Sequence, residues 1–150
     1  MVASPETRYA MEERVDSENR AVIQSDSYAA HLGARLLEIR PGYAKVALEL
    51  KPQHLNFMRM IHGGVIFSLA DVAFGAAANS FGKKAMALSV GIDFLAAPET
   101  DGEITAEVEL VSRAGKMGYY RMSVVDGKGR NIAQCRGWAY HTERPLQQGE

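Results

Sequence analysis

An aspartate inside an otherwise apolar stretch is the residue of this sequence that points most directly to chemistry. Asp71 lies in the run GGVIFSLADVAFGAAA at 63–78, where nearly every other side chain is apolar or small. A helix that is hydrophobic on all sides belongs in a core, and a carboxylate there is costly unless it is hydrogen-bonded or reactive. Asp71 is therefore either the hub of a structural hydrogen-bond network or an acid that takes part in a reaction.

A histidine and two glycines directly before this run indicate where a helix begins. The backbone N–H groups of His62, Gly63 and Gly64 would stand at its start, where they have no partner within the helix and can bind negative charge. Taken singly, such a histidine is often a cap, and a glycine pair often marks a turn. An acid together with free N–H donors is an arrangement suited to attack on a carbonyl group.

Composition limits the classes of protein to be considered. A chain of 150 residues that is 47% hydrophobic predicts one domain with an ample core. The net charge of −1 favours neither nucleic acid nor an anionic membrane as a partner. No apolar run reaches the ~20 residues that span a bilayer. The N-terminus lacks the apolar segment of a signal peptide, so we expect a cytoplasmic location.

Cysteine and histidine usage argues against a disulfide and a metal site. The single Cys135 excludes an internal disulfide, and the alternating pattern around it predicts a small packed residue. His54 and His62 lie in one loop without an accompanying cluster of ligands, so we expect no metal.

The pattern along the chain predicts a single domain over 1–150. Residues 1–31 are expected to form a charged, helical lead-in, and Pro41-Gly42 lies between two apolar runs at 34–40 and 43–50, which indicates a hairpin. The apolar helix is predicted over 63–81, and Gly82 is expected to end it. Four strand candidates follow, at 85–97, 103–112, 117–125 and 131–141.

This order predicts an α+β fold in which an antiparallel sheet wraps around one long buried helix. Such a sheet covers only part of a helix that is apolar on all sides. A second copy of the chain can cover more of the helix and can join the edge strands of the sheet.

Several short motifs, taken in order, resemble those of the hotdog-fold acyl-CoA thioesterases, in particular the PaaI-like branch (phenylacetic acid degradation type). The resemblance extends over about residues 30–142. The matching residues are Asn56, His62, Gly63, Gly64, Phe67, Asp71, Asn79, Gly82, Ile92, Leu95, Pro98, Gly102, Arg113, Gly115, Lys116, Asn131 and Gly137.

The resemblance implies a hotdog fold and hydrolysis of coenzyme A thioesters without a cofactor. It implies that Asp71 attacks the thioester or activates the attacking water, and that the Gly63 N–H binds the oxyanion. By the same resemblance, His62 belongs to the catalytic motif, Asn56 helps to position the reacting groups, and Ser89 lies near the thioester.

Other residues are candidates for substrate binding. Coenzyme A carries several phosphate charges, and Arg113 and Lys116 flank Gly115 in a turn whose glycine allows close approach of the backbone. The same two side chains are equally well explained as solvated surface charges. Ser68, one turn before Asp71, can hydrogen-bond it or serve only local polarity, and Gly64 adds an N–H at the helix start.

The separation of Gly63 and Asp71 predicts a shared site if both carry these roles. Eight residues along one helix correspond to ~12 Å, so one thioester carbonyl cannot contact both. The acid and the oxyanion donor must then come from different subunits of a homodimer with two sites. Related proteins commonly pair such dimers into tetramers.

The acyl group and the reaction type have alternatives. We expect a small aromatic or medium-chain acyl group in a tunnel lined by the loop at 57–61, Phe67, Phe74 and the neighbouring chain. A hotdog acyl-CoA hydratase or dehydratase, and a non-catalytic acyl-CoA-binding protein, are the competing functions. Hydratases and dehydratases of this fold usually pair a catalytic histidine with an acid. A protein that only binds acyl-CoA has no need of Asp71.

Overall fold

The computed structural model describes residues 14–147. It contains three helices and six strands, which we number in chain order. The helices are α1 (Ser17–Gln24), α2 (Ser27–Leu32) and α3 (Gly63–Asn79), with a 3₁₀ turn at Pro52–His54. The strands are β1 (Arg35–Arg40), β2 (Tyr43–Glu49), β3 (Lys83–Phe94), β4 (Glu103–Ala114), β5 (Met117–Val125) and β6 (Asn131–Pro145).

The six strands form one antiparallel sheet in the order β1-β2-β4-β5-β6-β3, and α3 packs against it. Strands β1 and β3 are the two edges. Buried side chains alternate along the central strands, as in Ile104, Ala106 and Val108 of β4, whereas edge strand β3 has no buried side chain. This is the predicted α+β hotdog fold, with the sheet packed around part of the long helix.

The core between α3 and the sheet is built around an aromatic pair. The rings of Phe74 and Tyr120 meet edge to face with their centroids 5.2 Å apart. Gly137 lets the helix approach β6, since a Cβ there would lie 3.1 Å from the Phe74 ring. Phe74 is 1% exposed, so the expectation that it lines an acyl tunnel is wrong for the single chain.

Local sequence explains where the predicted elements end. Helix α3 ends at Asn79, two residues before the predicted 81. The backbone N–H and the hydroxyl of Ser80, the C-cap residue, both donate to the Ala77 carbonyl in place of the helical bond to Ala76. Gly82 then turns the chain with a φ of +82°. The lead-in divides into α1 and α2 because Asp16 and Asp26 each cap a helix start. The part of the lead-in at 1–13 lies outside the described residues.

The surroundings of Cys135 and the length of the helices can be compared with the expectations from composition. Cys135 is buried, and burial raises the pKa of its thiol to about 11, as suits a packed residue. Among the helices described between residues 14 and 147, none is long and apolar enough to cross a membrane.

Candidate active site

The start of α3 leaves one backbone donor open. His62 is the N-cap residue, and its Nδ1 accepts a hydrogen bond of 2.8 Å from the Gly64 N–H. The Val65 N–H donates to the His62 carbonyl over 2.9 Å. The Gly63 N–H makes no hydrogen bond to any of the residues 14–147. His62 thus acts here as a cap that occupies Gly64, and Gly63 carries the available donor.

An aromatic ring stands beside that donor. A Cβ atom on Gly63 would lie 3.3 Å from the ring of Phe94, which is the last residue of β3. The exposed Phe94 therefore forms a wall next to the Gly63 N–H. Sequence analysis placed Phe94 in a strand but did not connect it with the helix start, because the pairing of β3 with β6 determines that proximity.

Asp71 lies on the one face of α3 that the sheet leaves uncovered. The exposed or half-exposed positions Gly64, Ser68, Asp71 and Gly75 recur every three or four residues and form a single stripe. The expectation of a helix buried on all sides, with Asp71 inside, is therefore corrected for the single chain. The carboxyl group faces outward, where a substrate or a second subunit can reach it.

The carboxyl group of Asp71 has an unusual environment despite this exposure. Neighbouring protein atoms desolvate it, which raises its pKa, and the negative charge of Asp26 raises that pKa further. A raised pKa brings a carboxylic acid closer to the range in which it can exchange a proton during a reaction. Asp26 is a contributor that sequence analysis missed, since it lies 45 positions earlier in the chain.

A hydrogen bond fixes α2 beside the same face of α3. The hydroxyl groups of Tyr28 and Ser68 lie 2.7 Å apart. Ser68 thus bonds to α2, and no hydrogen bond to Asp71 is present within the described chain. Tyr28 was also missed from the sequence, where the lead-in carries no motif that marks it as part of a site.

Asn56 organises the loop that precedes α3. Its side-chain oxygen accepts hydrogen bonds from the N–H groups of Met58 and Met60, over 2.9 and 3.1 Å. Arg59, at the tip of this loop, has a left-handed φ of 63°. Phe57 is 93% exposed, and Met58 and Met60 are also exposed, so the loop presents an apolar surface. Asn56 holds that surface in shape and leaves its amide N–H₂ without a partner among the described residues.

The residues predicted to bind coenzyme A phosphates lie at the other end of the helix. Arg113 Nε donates to the Gly115 carbonyl over 3.1 Å, and the Arg113 guanidinium lies 5.7 Å from the centre of the Phe81 ring. Lys116 Nζ lies 5.8 Å from the centre of the Tyr140 ring. Phe81 lies two residues after the end of α3, so this basic turn is displaced from Asp71 toward the C-terminal end of α3.

Ser89 is not joined to the other candidates in the single chain. It pairs with Trp138 at a register shift in edge strand β3, and its hydroxyl makes no hydrogen bond to another described residue. Its role near the thioester stays a prediction. His54 is buried and bonds to the backbone of Lys51 and Leu32 through its two ring nitrogens, which gives it a structural role.

Comparison with known proteins identifies the family. The family model of the thioesterase superfamily matches residues 58–133, which include the helix start and Asp71. This chain belongs to the thioesterase superfamily. A putative esterase of Archaeoglobus fulgidus is 40% identical over 117 residues, which cover 78% of this chain and 76% of that protein.

Other members of the superfamily support the same assignment. The acyl-coenzyme A thioesterase PaaI of Escherichia coli is 33% identical over 117 residues, or 78% of this chain and 84% of that enzyme. The solved structure of the E. coli PaaI protein from the phenylacetic acid degradation operon superposes with a TM-score of 0.82 at 29% identity. It covers 88% of this chain and 99% of that one. The chain is thus a PaaI-like thioesterase in sequence and in fold.

Proposed function

We propose that this protein hydrolyses acyl-CoA thioesters to the free acid and coenzyme A, at two sites shared between the subunits of a homodimer. The observation that carries this proposal is the open Gly63 N–H at a helix start, combined with an exposed Asp71 of raised pKa two turns further on. The similarity to the E. coli acyl-coenzyme A thioesterase PaaI supports the substrate class.

The two groups have complementary tasks. A thioester carbonyl lacks the resonance of an amide, so a carboxylate or a carboxylate-activated water can attack it. Ionised Asp71 is that nucleophile or base. Negative charge then develops on the carbonyl oxygen, and an N–H donor held at a helix start stabilises it without rearrangement. Breakdown of the intermediate breaks the C–S bond and releases the coenzyme A thiolate, which takes up a proton. If Asp71 is the base, the attacking water has then become part of the free acid. If Asp71 is the nucleophile, a water must still cleave the acyl-aspartate anhydride to release the acid.

Dimerisation follows from the positions of these groups. The ~12 Å between Gly63 and Asp71 along α3 is too long for one carbonyl to span. Two antiparallel α3 helices related by a two-fold axis bring each Asp71 near the partner's Gly63. Edge strand β3 exposes Met86 and Leu88, and an apolar, unpaired edge of this kind is suited to pairing with a second copy. Such dimers can pair further into tetramers.

The remaining candidates then have places around the thioester. Asn56, through its free amide N–H₂, and Ser89, from β3, position the reacting groups. His62 binds the Gly64 N–H and so fixes the helix start that presents the Gly63 N–H. Arg113, Gly115 and Lys116 meet the nucleotide phosphates, since the pantetheine arm separates those phosphates from the thioester. No cofactor or metal takes part, and the reaction takes place in the cytoplasm.

One experiment distinguishes a thioesterase from an acyl-CoA hydratase and from an acyl-CoA-binding protein. Release of free thiol is measured with a panel of acetyl-, hexanoyl-, decanoyl-, phenylacetyl- and hydroxybenzoyl-CoA, and hydration is followed with an enoyl-CoA. Thiol release with no hydration is the expected result. Hydration without thiol release would identify a hydratase, and tight binding without either reaction would identify an acyl-CoA-binding protein.

A further inference from the structure

A cavity of about 560 Å³ opens between the N-terminal helices and α3. Its volume is within the range of about 300–1,000 Å³ that is typical of small-molecule sites. One wall comes from α1 and α2, including Val22 and Ala30, and the opposite wall comes from Val72 and Gly75 of α3. The site proposed above does not use this cavity.

The cavity adjoins Asp71 along the helix. Val72 is the next residue in the chain, and Gly75 lies one turn further on the same exposed stripe as Asp71. A Cβ atom on Gly75 would meet no atom within 4 Å, so the absence of a side chain there contributes to the open space. Asp26, whose charge acts on Asp71, also lines the cavity. A group bound at Asp71 can therefore extend into it.

Three of the four polar side chains of the lining already have partners among the described residues, and Gln24 is the fourth. Arg35 forms an ion pair with Glu103, and the Asp26 carboxylate accepts a hydrogen bond from the Ala29 N–H. The Asn79 side chain is bound to the backbone of Gly75 and Ala85. The surface left for a ligand is somewhat more apolar than polar, with aliphatic side chains such as Leu36, Val46 and Val72 in the lining, and the charge of Asp26 disfavours an anionic ligand.

We infer that this cavity holds the acyl part of the substrate, and that it selects neutral, apolar acyl groups of medium length over the acetyl group. This inference rests on the proposed function. It differs from the tunnel expected from the sequence, because the buried Phe74 takes no part and the N-terminal helices provide one wall. The hydrogen bond between Tyr28 and Ser68 keeps that wall in place.

The test uses two substitutions that narrow the cavity and one control substitution outside it. Ala30→Leu and Val22→Phe add bulk to the lining, whereas Ala21→Leu adds the same bulk as Ala30→Leu at an exposed α1 position outside the lining. The value of kcat/KM is measured for acetyl-, hexanoyl- and decanoyl-CoA by thiol release. Circular dichroism and gel filtration confirm that each variant is folded and has the wild-type size.

The expected result is a loss of at least tenfold in kcat/KM for decanoyl-CoA in both cavity variants. Acetyl-CoA hydrolysis should stay within twofold of wild type, and Ala21→Leu should leave the whole series unchanged. If both cavity variants give the same chain-length profile as Ala21→Leu, the acyl group binds elsewhere, although the thioesterase function stands. If the wild-type protein releases no thiol from any acyl-CoA, the proposed function itself fails.

Discussion

The hydroxyl of Tyr28 on α2 lies 2.7 Å from the hydroxyl of Ser68 on α3, one turn before Asp71. The two residues are 40 positions apart in the chain, so this bond connects the N-terminal helices to the helix that carries Asp71. The second link between these regions is electrostatic, since Asp26, just before α2, raises the pKa of Asp71. Asp26 and Tyr28 thus link the N-terminal helices to the helix that carries Asp71.

The Tyr28–Ser68 bond can be measured by a double-mutant cycle. Tyr28→Phe and Ser68→Ala should each destabilise the protein by about 0.5–1 kcal/mol, the lower part of the usual range for a hydrogen bond, because this one is exposed. The double variant should lose little more than either single variant. Urea unfolding followed by circular dichroism gives the three values. Strictly additive losses would mean that the bond contributes nothing in solution.

Asp26→Asn should shift the pH profile of the enzyme. In the proposed mechanism the ionised form of Asp71 is the active one. Desolvation and the charge of Asp26 raise the pKa of Asp71, so activity should fall on acidification at a higher pH than an ordinary aspartate would give. Removing that charge should move the acidic limb of kcat/KM to lower pH. Asparagine is as good an N-cap as aspartate, so α2 is retained. An unmoved limb in a folded variant would exclude this electrostatic coupling.

Asp71→Asn should abolish thioester hydrolysis and leave the fold intact. Asparagine keeps the shape of the side chain but provides neither a nucleophile nor a base. Thiol release should fall at least about 10³-fold, as is usual when a reacting group is removed. Asp101→Asn, at an exposed loop position, is the matched control. Near-native turnover by Asp71→Asn would overturn the catalytic assignment.

The same variant separates the two interpretations of Asp71 through its stability. Since the pKa of Asp71 is raised in the folded state, folding favours its protonated form, and this stabilising contribution is lost as the pH rises through that pKa. Asp71→Asn should therefore be at least as stable as wild type at neutral pH, and the difference should shrink in acid. A structural hydrogen-bond hub would instead make Asp71→Asn less stable.

The sequence predicted the strands and the long helix of the fold. The alternation of Ile104, Ala106 and Val108 identifies strand β4, because local periodicity decides it. The position of Asp71 on an uncovered face could not be seen, since alanines and glycines on all sides of α3 hide which side meets the sheet. The contributions of Tyr28 and Phe94 depend on tertiary packing, which no local pattern encodes.

Two substitutions distinguish a structural from a chemical role of Asn56. Asn56→Asp keeps the oxygen that accepts from Met58 and Met60 but removes the amide N–H₂, whereas Asn56→Ala removes both. If the N–H₂ positions the substrate, both variants should lose about 10- to 100-fold in kcat, with less loss than in Asp71→Asn. If only the loop matters, Asn56→Asp should retain wild-type kcat while Asn56→Ala loses activity.

The central claim is that Asp71 and Gly63 of one active site come from different subunits. It is tested by refolding mixtures of an Asp71→Asn chain and a Gly63→Pro chain. Proline is accepted at the first position of a helix and removes the donor N–H. Each chain refolded alone is the control for residual activity, and circular dichroism confirms that both variants fold.

A second mixture combines wild type with the double variant, in which one chain carries both changes. In a mixed dimer of this kind, a shared site always contains one defect. A site formed within one chain would instead stay active in every wild-type subunit. Compared with shared sites, sites within one chain would lower the activity of the first mixture and raise that of the second. Both mixtures use the same two substitutions.

Thiol release from these two mixtures, at equal subunit amounts, is the most direct measurement. Random pairing makes about half of the dimers mixed, so shared sites predict roughly a quarter of wild-type activity in both mixtures. An inactive mixture of single variants, together with about half of wild-type activity in the second mixture, is the outcome for sites within one chain. That outcome would contradict the shared active site.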